Sequence, residues 1–236
     1  MSQDKRLTTN DQRPERGLFI TGTDTGVGKT HITCLLAQQL LGAGFIPVPR
    51  KPVESGCSPD AGGQLIAADA RALMQACQYP QPQSVVCPYP LQAAISPAEA
   101  ARLQGEKISL AQLQQACALT DNEQQNPGTR LLVEGAGGFY SPLCEDGLNA
   151  DLAQRLELPV LLVAEDKLGC INHILLSLQA IESRGLEVFA VVLNQINPAS
   201  SAMNNAAELS QLISQPLIHT HGQQADLLNA ALIGQF

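Results

Sequence analysis

One segment constrains the fold of this chain more than any other: an apolar run leads into a glycine-rich turn, and the turn opens a helix. Its sequence is Gly17-Leu-Phe-Ile-Thr-Gly-Thr-Asp-Thr-Gly-Val-Gly-Lys-Thr30, with the predicted helix beginning near Lys29. In such a turn the backbone N–H groups face inward and the helix N-terminus adds partial positive charge, so the turn can cradle phosphate. Lys29 can reach the β- and γ-phosphates of a nucleotide, and the hydroxyl of Thr30 can ligate Mg²⁺.

This loop is a variant of the common phosphate-loop pattern. In G-x-x-x-x-G-K-[ST] the first glycine would occupy the position of Thr23, whereas Gly22 comes one residue earlier. The loop is therefore predicted to be one residue longer than usual. The motif indicates a nucleoside triphosphate as ligand but not which reaction follows, and the alternative is an ordinary glycine-rich turn between a strand and a helix.

The rest of the chain alternates short apolar runs with amphipathic stretches, which is typical of a parallel sheet covered by helices on both faces. We predict an α/β fold in which residues 17–236 form a single P-loop NTPase-like domain with a mostly parallel sheet, after a disordered polar tail at 1–16. Ligands of such a sheet gather at the carboxyl ends of the strands. The predicted strands span 17–22, 45–50, 130–134, 159–165, 188–194 and, more weakly, 216–219; the predicted helices span 29–42, 64–76, 109–119, 149–156, 171–183 and 202–213.

The segment 79–97 is predicted to be a long ordered loop, because its prolines are too frequent for a helix or a central strand. Loops of that length in compact domains are often functional. The prolines are Pro80, Pro82, Pro88, Pro90 and Pro97.

The composition argues against several classes of protein. Hydrophobic residues make up 44% of the 236 residues and charged residues only 15%, the opposite of a disordered chain. Acidic residues outnumber basic ones by 22 to 14, and the net charge of −8 speaks against a nucleic-acid-binding surface. The apolar runs, such as 158–164, are far shorter than the roughly 20 residues that span a bilayer. We therefore expect neither nucleic acid nor a membrane as partner.

The cysteines are odd in number and widely scattered, and none forms a Cys-x-x-Cys pair, so neither a zinc site nor a disulfide framework is predicted. The N-terminal residues lack the apolar core of a signal peptide. We expect reduced, mostly buried thiols in a cytoplasmic protein. The seven cysteines are Cys34, Cys57, Cys77, Cys87, Cys117, Cys144 and Cys170.

Three further charged residues could join the phosphate loop at the carboxyl edge of the sheet. Glu134 ends an apolar run and precedes a glycine turn, where P-loop enzymes commonly place an acid that holds Mg²⁺. Lys51 follows the second predicted strand, where a functional lysine and a surface lysine are equally compatible with the spacing, and Ser55 nearby could orient a second anion. Asp69 lies in an alanine-rich helical stretch, where an Asp is usually just solvated.

Four short blocks of sequence, taken together and in order, are far more specific than the phosphate loop alone. They are Thr21-Gly-Thr-Asp-Thr-Gly-Val-Gly-Lys-Thr30, Lys51-Pro-Val-Glu-Ser-Gly56, Val133-Glu-Gly-Ala-Gly-Gly138 and Lys167-Leu-Gly-Cys-Ile-Asn-His173. With these blocks the chain resembles the ATP-dependent dethiobiotin synthases of biotin biosynthesis. The resemblance extends from Gly17 to about Ile218.

The resemblance implies an ATP- and Mg²⁺-dependent ligase that closes the ureido ring of dethiobiotin from 7,8-diaminononanoate and CO2 or bicarbonate. A carbamate on one amine would be phosphorylated to a carbamic-phosphoric anhydride, and the second amine would close the ring and expel phosphate. The resemblance also implies a homodimer with active sites at the subunit interface. Because three negatively charged partners must be held together, dense positive charge is expected at the site.

The matching motifs also imply roles for individual residues. The catalytic residues would be Lys51, Lys29 and Thr25. The Mg²⁺ ligands would be Thr30, Asp69 and Glu134, all of which would also contact the nucleotide region. The other nucleotide-binding residues would be Gly26, Val27, Gly28, Lys29, His31, Gly135, Ala136, Gly137 and Asn194, the last against the base. The substrate-binding residues would be Ser55, Ser96 and, from the opposite subunit, Gly169, Cys170, Ile171 and Asn172.

Two departures from the family pattern bear on nucleotide binding. Gly26 occupies a position that is acidic in some members, which matters little because the backbone makes the contacts there. The usual Pro-x-Leu after the last strand is replaced by His219-Thr-His-Gly222, in the region that would contact adenine, so the base selectivity stays open.

Two other classes of protein share this type of loop. A partitioning or regulatory ATPase would carry a lysine at the position of Asp24 and a basic or amphipathic tail, whereas residues 225–236 are nearly uncharged. An amide-forming synthase would carry an additional glutamine-hydrolysing domain, for which 236 residues leave no room. An inactive nucleotide-binding relic would not be expected to keep the full set of lysines and carboxylates.

Overall fold

The computed structural model describes residues 16–196, 204–221 and 227 of the chain. The strands in these residues are β1 Gly17–Gly22, β2 Ile46–Arg50, β3 Val53–Ser55, β4 Ser58–Pro59, β5 Leu65–Ile66, β6 Tyr89–Leu91, β7 Thr129–Gly138, β8 Pro142–Cys144, β9 Gly147–Leu148, β10 Val160–Glu165, β11 Val188–Gln195 and β12 Leu217–His221. The helices are α1 Lys29–Gly42, α2 Ala68–Ala76, α3 Gln83–Val86, α4 Pro97–Gln104, α5 Leu110–Cys117, α6 Asp121–Gln125, α7 Asn149–Leu156, α8 Cys170–Ser183 and α9 Asn205–Leu212.

Six of these strands form a parallel sheet in the order β12-β11-β10-β1-β7-β2. The strand β1 is central, and its Phe19 lies opposite Val133 of β7 and Val160 of β10. Smaller two-stranded pairs form at the carboxyl side of the sheet: β3 with β6 in parallel, and β4 with β5 and β8 with β9 in antiparallel orientation.

Apolar side chains cover both faces of the sheet. Phe19 packs on one face, in a cluster that includes residues of α5, α7 and α8, whereas its neighbours Leu18 and Ile20 pack on the other face with α1. This alternation follows from the pleat, which sends successive side chains of a strand to opposite faces. The predicted parallel sheet with helices on both faces is therefore confirmed.

The predicted elements of the sheet agree with the structure to within a few residues, except that β7 runs on through the glycine turn to Gly138. The predicted helix 64–76 is shorter, because its first residues form β5 and the helix begins at Ala68. The start of the predicted helix 202–213 lies outside the described residues, as do residues 1–15 of the predicted tail. Arg16, assigned to that tail, donates from Nη1 to the carbonyl of Pro127 at 2.8 Å.

The prediction that 79–97 is a long ordered loop with too many prolines for a helix was wrong. The segment contains the helix α3 and the strand β6, and its last residue, Pro97, begins α4. Each of the five prolines lies where its ring is tolerated. Pro80 and Pro88 lie outside helices and strands, and Pro82 precedes α3. Pro90 lies in a two-stranded pair opposite Glu54, and Pro97 is in the first turn of its helix.

All seven cysteines carry free thiols, and all of them except the half-buried Cys34 are buried. Among the helices of the described residues, none has the length and apolar character needed to cross a membrane.

Candidate active site

A cleft of about 640 Å³ lies at the carboxyl ends of β1, β2 and β7. It brings together side chains from three of the four sequence blocks, as expected when parallel strands end at the same edge of a sheet. The predicted site residues that line it are Thr25, Gly26, Gly28, Lys29, Thr30, Lys51, Ser55, Asp69, Ser96, Ala136 and Gly137. The other residues that line it are Glu54, Ala94, Ile95, Pro97, Ser141 and Pro142.

Asn194, near the end of β11, holds the phosphate loop in place through a hydrogen bond to the loop backbone. The Nδ2 of Asn194 donates to the carbonyl of Val27 at 3.0 Å, and its Oδ1 accepts a hydrogen bond from the Thr220 hydroxyl at 2.9 Å. Gly28 lies directly above this amide with φ of +90°, and a Cβ there would be only 2.2 Å from Asn194 Nδ2. Glycine at position 28 is therefore required by the backbone conformation and by the close contact.

Asn194 is only 3% exposed, and both ends of its amide bond to the protein. Asn194 therefore contacts the phosphate loop itself. Its contact with the base of a nucleotide stays a prediction. The unusual His219-Thr220 pair has partners in the same region, since His219 Nε2 lies 3.1 Å from Asp166 Oδ2.

Lys29 begins α1 and lies folded against its own loop, where its Nζ donates to the carbonyl of Asp24 at 3.0 Å. Burial and the positive charge of Lys51 lower the pKa of Lys29 to about 8, although nearby carboxylates act in the opposite direction. An anion in the cleft would favour the protonated form. Lys29 is therefore poised to respond to phosphate.

Lys51 is the centre of the ionic contacts in the cleft. Its Nζ lies 2.6 Å from Glu134 Oε1 and 3.1 Å from Asp69 Oδ2, and it also donates to the carbonyl of Gly135 at 3.3 Å. Burial disfavours the charged form, but the two carboxylates outweigh burial and raise the pKa of Lys51 above its ordinary value. Lys51 is therefore a cation. The sequence was equally compatible with a functional lysine and a surface lysine, and the structure places Lys51 in the cleft.

Glu134 is completely buried beneath the loop, at the end of the apolar part of β7. Its Oε1 accepts from the Thr30 hydroxyl at 2.7 Å, and its Oε2 accepts from the Thr33 hydroxyl at 2.9 Å. These hydroxyls come from adjacent turns of α1, so the helix and the sheet are joined through one carboxylate. Glu134 accordingly faces the start of α1 and the ammonium of Lys51.

Asp69 lies in the first turn of α2, and its side chain is 43% exposed to the cleft. Burial alone would raise its pKa, but the charge of Lys51 and its hydrogen bond lower the pKa of Asp69 below the ordinary value. Asp69 is therefore ionised and placed at the rim of the site, opposite Glu134 across the Lys51 ammonium.

The turn after Glu134 is held by Asn149, which is fully buried at the start of α7. Its amide bonds to both the N–H and the carbonyl of Ala136 and donates to the carbonyl of Gly138 at 3.0 Å. The hydroxyl of Ser141 accepts from the N–H of Gly138 at 2.9 Å. These contacts fix the backbone of the turn that forms one wall of the cleft.

Nine predicted site residues are not among the residues that line the cleft. Four of them belong to the phosphate loop, to β7 or to the amide that supports the loop: Val27, Glu134, Gly135 and Asn194. The other five are His31 and the four residues of the predicted substrate segment. His31 is exposed on α1, and the predicted substrate segment at the start of α8 is not among the residues that line the cleft. That segment consists of Gly169, Cys170, Ile171 and Asn172.

Three residues that support the site were not predicted from the sequence: Thr33, Glu54 and Asn149. Thr33 follows Lys29 by four residues, so helical spacing could have indicated that its hydroxyl faces the same side. Glu54 lies inside the second sequence block, between Lys51 and Ser55. No signal in the sequence identifies Asn149, because its partners depend on how α7 packs against the turn.

The formal charges of the cleft are nearly balanced. Two lysines face three carboxylates, those of Glu54, Asp69 and Glu134, so the expectation of dense positive charge was wrong for the protein alone. The excess of one negative charge and the oxygen donors Thr30, Asp69 and Glu134 suit a hard divalent cation such as Mg²⁺, which binds through a few carboxylates together with substrate phosphates. No group of three or more His, Cys, Asp and Glu side chains in the described part of the chain could hold a metal by itself.

Comparison with known proteins agrees with the geometry. A family model described as an AAA domain matches residues 16–227. The chain is 42% identical over 199 residues to the ATP-dependent dethiobiotin synthetase of Anaeromyxobacter dehalogenans strain 2CP-1, with 84% of this chain and 85% of that protein covered. It is 40% identical over 196 residues to the corresponding enzyme of Ruthia magnifica, with 83% and 86% covered.

Solved structures support the fold. The signal recognition particle receptor FtsY from Elizabethkingia anophelis, in complex with GDP, superimposes with a TM-score of 0.52 at 17% identity. The match covers 95% of this chain, and the chain spans 64% of the receptor's length. At this identity the likeness concerns the fold alone, and it confirms the predicted P-loop NTPase-like architecture.

Proposed function

Because this chain belongs to the family of ATP-dependent dethiobiotin synthetases, we propose that it closes the ureido ring of dethiobiotin from 7,8-diaminononanoate and CO2, using ATP and Mg²⁺. The observation that carries the proposal is the cluster at Lys51. Its ammonium contacts Glu134 at 2.6 Å and Asp69 at 3.1 Å, so residues from three distant parts of the sequence meet beside the phosphate loop.

The nucleotide is proposed to bind along the phosphate loop. The backbone between Gly26 and Thr30 surrounds the phosphates, with the side chains of Lys29 and Thr25 directed at their charge, and the turn from Glu134 to Gly137 forms the opposite wall. The rest of the proposed nucleotide contacts come from Val27, Gly28, His31, Gly135, Ala136 and, against the base, Asn194.

Thr30, Asp69 and Glu134 are proposed to hold Mg²⁺. The carboxylates of Asp69 and Glu134 both contact the Lys51 ammonium, and the Thr30 hydroxyl donates to Glu134. The cation supplies charge neutralisation between the phosphates and these carboxylates. With a bound divalent cation, the net formal charge of the cleft would change from one excess negative charge to one excess positive charge, which would favour the binding of anions.

The residues of the chain act on the reaction by position and charge. Lys51 and Lys29 stabilise the negative charge on the carbamate and on the transferred phosphoryl group, and Ser55 and Ser96 orient the diamine at the open side of the cleft. One carbamate oxygen forms a bond to the γ-phosphorus as the bond to ADP breaks. The second amine then attacks the carbamoyl carbon, loses its proton, and releases phosphate with that oxygen.

The carboxylate end of the diamine is proposed to contact residues 169–172 of the opposite subunit in a homodimer. This segment opens α8, and Leu168, Leu175 and Leu176 beside it are exposed by 88%, 37% and 57%. Leu175 and Leu176 lie within α8 and Leu168 just before it, and exposed apolar side chains that lie together are typical of a protein interface.

With ATP as co-substrate and seven free thiols that a reducing compartment would preserve, we propose that the enzyme works in the cytoplasm.

The proposed function is tested by incubating the purified protein with ATP, Mg²⁺, bicarbonate and 7,8-diaminononanoate and following dethiobiotin by mass spectrometry. Product that depends on all four components is expected. Folded protein that forms none would overturn the assignment, and ATP turnover that ignores the diamine would instead favour a regulatory ATPase. Lys107→Ala, which removes an exposed lysine far from these blocks in sequence, is the matched control for variants of the two cleft lysines.

A further inference from the structure

The helix α2 carries Asp69 but has no N-cap of its own. The residue at the N-cap position is Ala67, whose methyl group cannot accept a hydrogen bond. The first N–H groups of a helix have no partner within it, and a Ser, Thr, Asp or Asn at the N-cap normally serves the second and third of them. In α2 these two groups belong to Asp69 and Ala70.

Both N–H groups are satisfied from a different element. Glu54, in β3, accepts from the N–H of Asp69 through Oε1 at 3.0 Å and from the N–H of Ala70 through Oε2 at 3.0 Å. Glu54 is only 6% exposed, and a carboxylate at a helix N-terminus is also favoured by the partial positive charge there. One buried side chain thus performs the whole capping function of α2.

We propose that Glu54 is a positioning residue, which caps α2 from β3 and thereby holds Asp69 at the cation site. The proposal rests on the proposed function in one respect, namely that Asp69 helps to bind Mg²⁺. Glu54 and Lys51 lie three residues apart on the same segment, so the segment that supplies the ammonium also anchors the helix that supplies its second carboxylate. The distance from Lys51 to Asp69 is therefore fixed by one stretch of chain.

The first test measures the protein without nucleotide or metal. Amide hydrogen exchange over residues 67–73 is expected to be faster in Glu54→Ala than in the parent protein, because the first turn of α2 loses its cap. The matched control is Glu187→Ala, which removes an exposed glutamate just before β11. Equal exchange in Glu54→Ala and the parent protein would overturn the proposal.

The second test separates positioning of Asp69 from direct contact with a ligand. ATP binding is measured calorimetrically with Mg²⁺ and with EDTA for Glu54→Ala, Asp69→Asn and the double variant. Loss of a residue that orients a metal ligand typically lowers metal affinity about 10- to 100-fold, so the gain in ATP affinity from Mg²⁺ should fall by that factor in Glu54→Ala. The affinity in EDTA should stay within about twofold, since the phosphate loop is untouched.

In the double variant, Glu54→Ala should add nothing to the effect of Asp69→Asn, because Glu54 acts through Asp69. Fully additive effects would overturn the proposal and indicate that Glu54 contacts the ligand itself. If Glu54→Ala does not fold, Glu54→Gln is used instead, because it keeps one acceptor oxygen. Its rate of amide hydrogen exchange and its gain in ATP affinity from Mg²⁺ should both be intermediate. Parental values for both quantities would contradict the proposal. Neither test uses the diamine, so a failure of the proposed reaction would be recognised separately, as absence of dethiobiotin.

Discussion

Replacing Lys51 by alanine should lower both the stability and the activity of the protein, and the two losses can be separated. The ammonium of Lys51 lies 2.6 Å from Glu134, and both residues are almost completely buried. Removing one partner of a buried ion pair leaves an uncompensated charge, which typically costs about 3–5 kcal/mol. Glu134 keeps the hydroxyl groups of Thr30 and Thr33 as donors, so we expect the lower end, about 3 kcal/mol.

A loss of about 3 kcal/mol corresponds to a decrease in Tm of about 6 to 12 °C for a chain of this size. Asp69 contributes little to this figure because its side chain is 43% exposed and solvent screens its charge. The change is measured by thermal and urea unfolding near neutral pH. Activity should fall by about 10²- to 10³-fold, the range typical for loss of one group that stabilises developing charge.

The double variant Lys51→Ala/Glu134→Gln separates the two effects. Neutralising Glu134 removes the unpaired buried charge, so most of the lost stability should return. Activity should not return, because the ammonium is still absent. A Lys51→Ala protein that melts within 2 °C of the parent, or a double variant that is no more stable than the single one, would refute the argument from the buried pair. Lys107→Ala should change neither quantity.

The remaining predictions concern the loop, its lysine and its supporting amide. Gly28→Ala should weaken ATP binding at least about tenfold, because its Cβ would lie 2.2 Å from Asn194 Nδ2 and left-handed backbone costs about 1–2 kcal/mol; unchanged affinity by calorimetry would contradict this. Since the pKa of Lys29 is lowered to about 8 and phosphate favours the protonated form, ATP affinity should decrease as the pH rises above about 8, by up to about tenfold per pH unit. The binding of ATP at pH 9 should then be accompanied by uptake of a proton, which calorimetry in two buffers detects. Zero proton uptake would contradict the protonation of Lys29 on ATP binding. Asn149→Ala should lower the free energy of unfolding by about 2 kcal/mol or more, because buried backbone groups of the turn lose their partners; a urea-unfolding loss below about 0.5 kcal/mol would speak against the role of Asn149.

The central features of the fold were predictable from local patterns. The continuous apolar runs predicted the parallel sheet, and the glycine-rich turn before Lys29 predicted the phosphate loop at its carboxyl edge. Strand and helix patterns repeat over short distances along the chain, which is why they can be recognised there. The loop 79–97 was predicted wrongly because a proline at a helix start or in an edge pair is tolerated, and the sequence does not show which environment each proline has.

The supporting contacts of the site depend on tertiary packing and could not be predicted. Glu54 reaches the N–H groups of α2, about fifteen residues later in the chain, only because β3 passes beside that helix. Asn149 reaches the turn after Glu134 only through the packing of α7. The same packing brings the carboxylate of Glu54 to the cleft, which is why the local charge is nearly balanced rather than strongly positive.

The most direct test of the proposed reaction follows one oxygen atom. When the reaction is run briefly with ¹⁸O-labelled bicarbonate, ATP, Mg²⁺ and 7,8-diaminononanoate, the carbamate oxygen that attacks the γ-phosphorus should leave with the phosphate. Mass spectrometry should find one ¹⁸O atom in each phosphate released, in equal amount to dethiobiotin. Phosphate that carries oxygen only from ATP and water would contradict a carbamic-phosphoric anhydride and, with it, the proposed use of Lys51 and the phosphate loop.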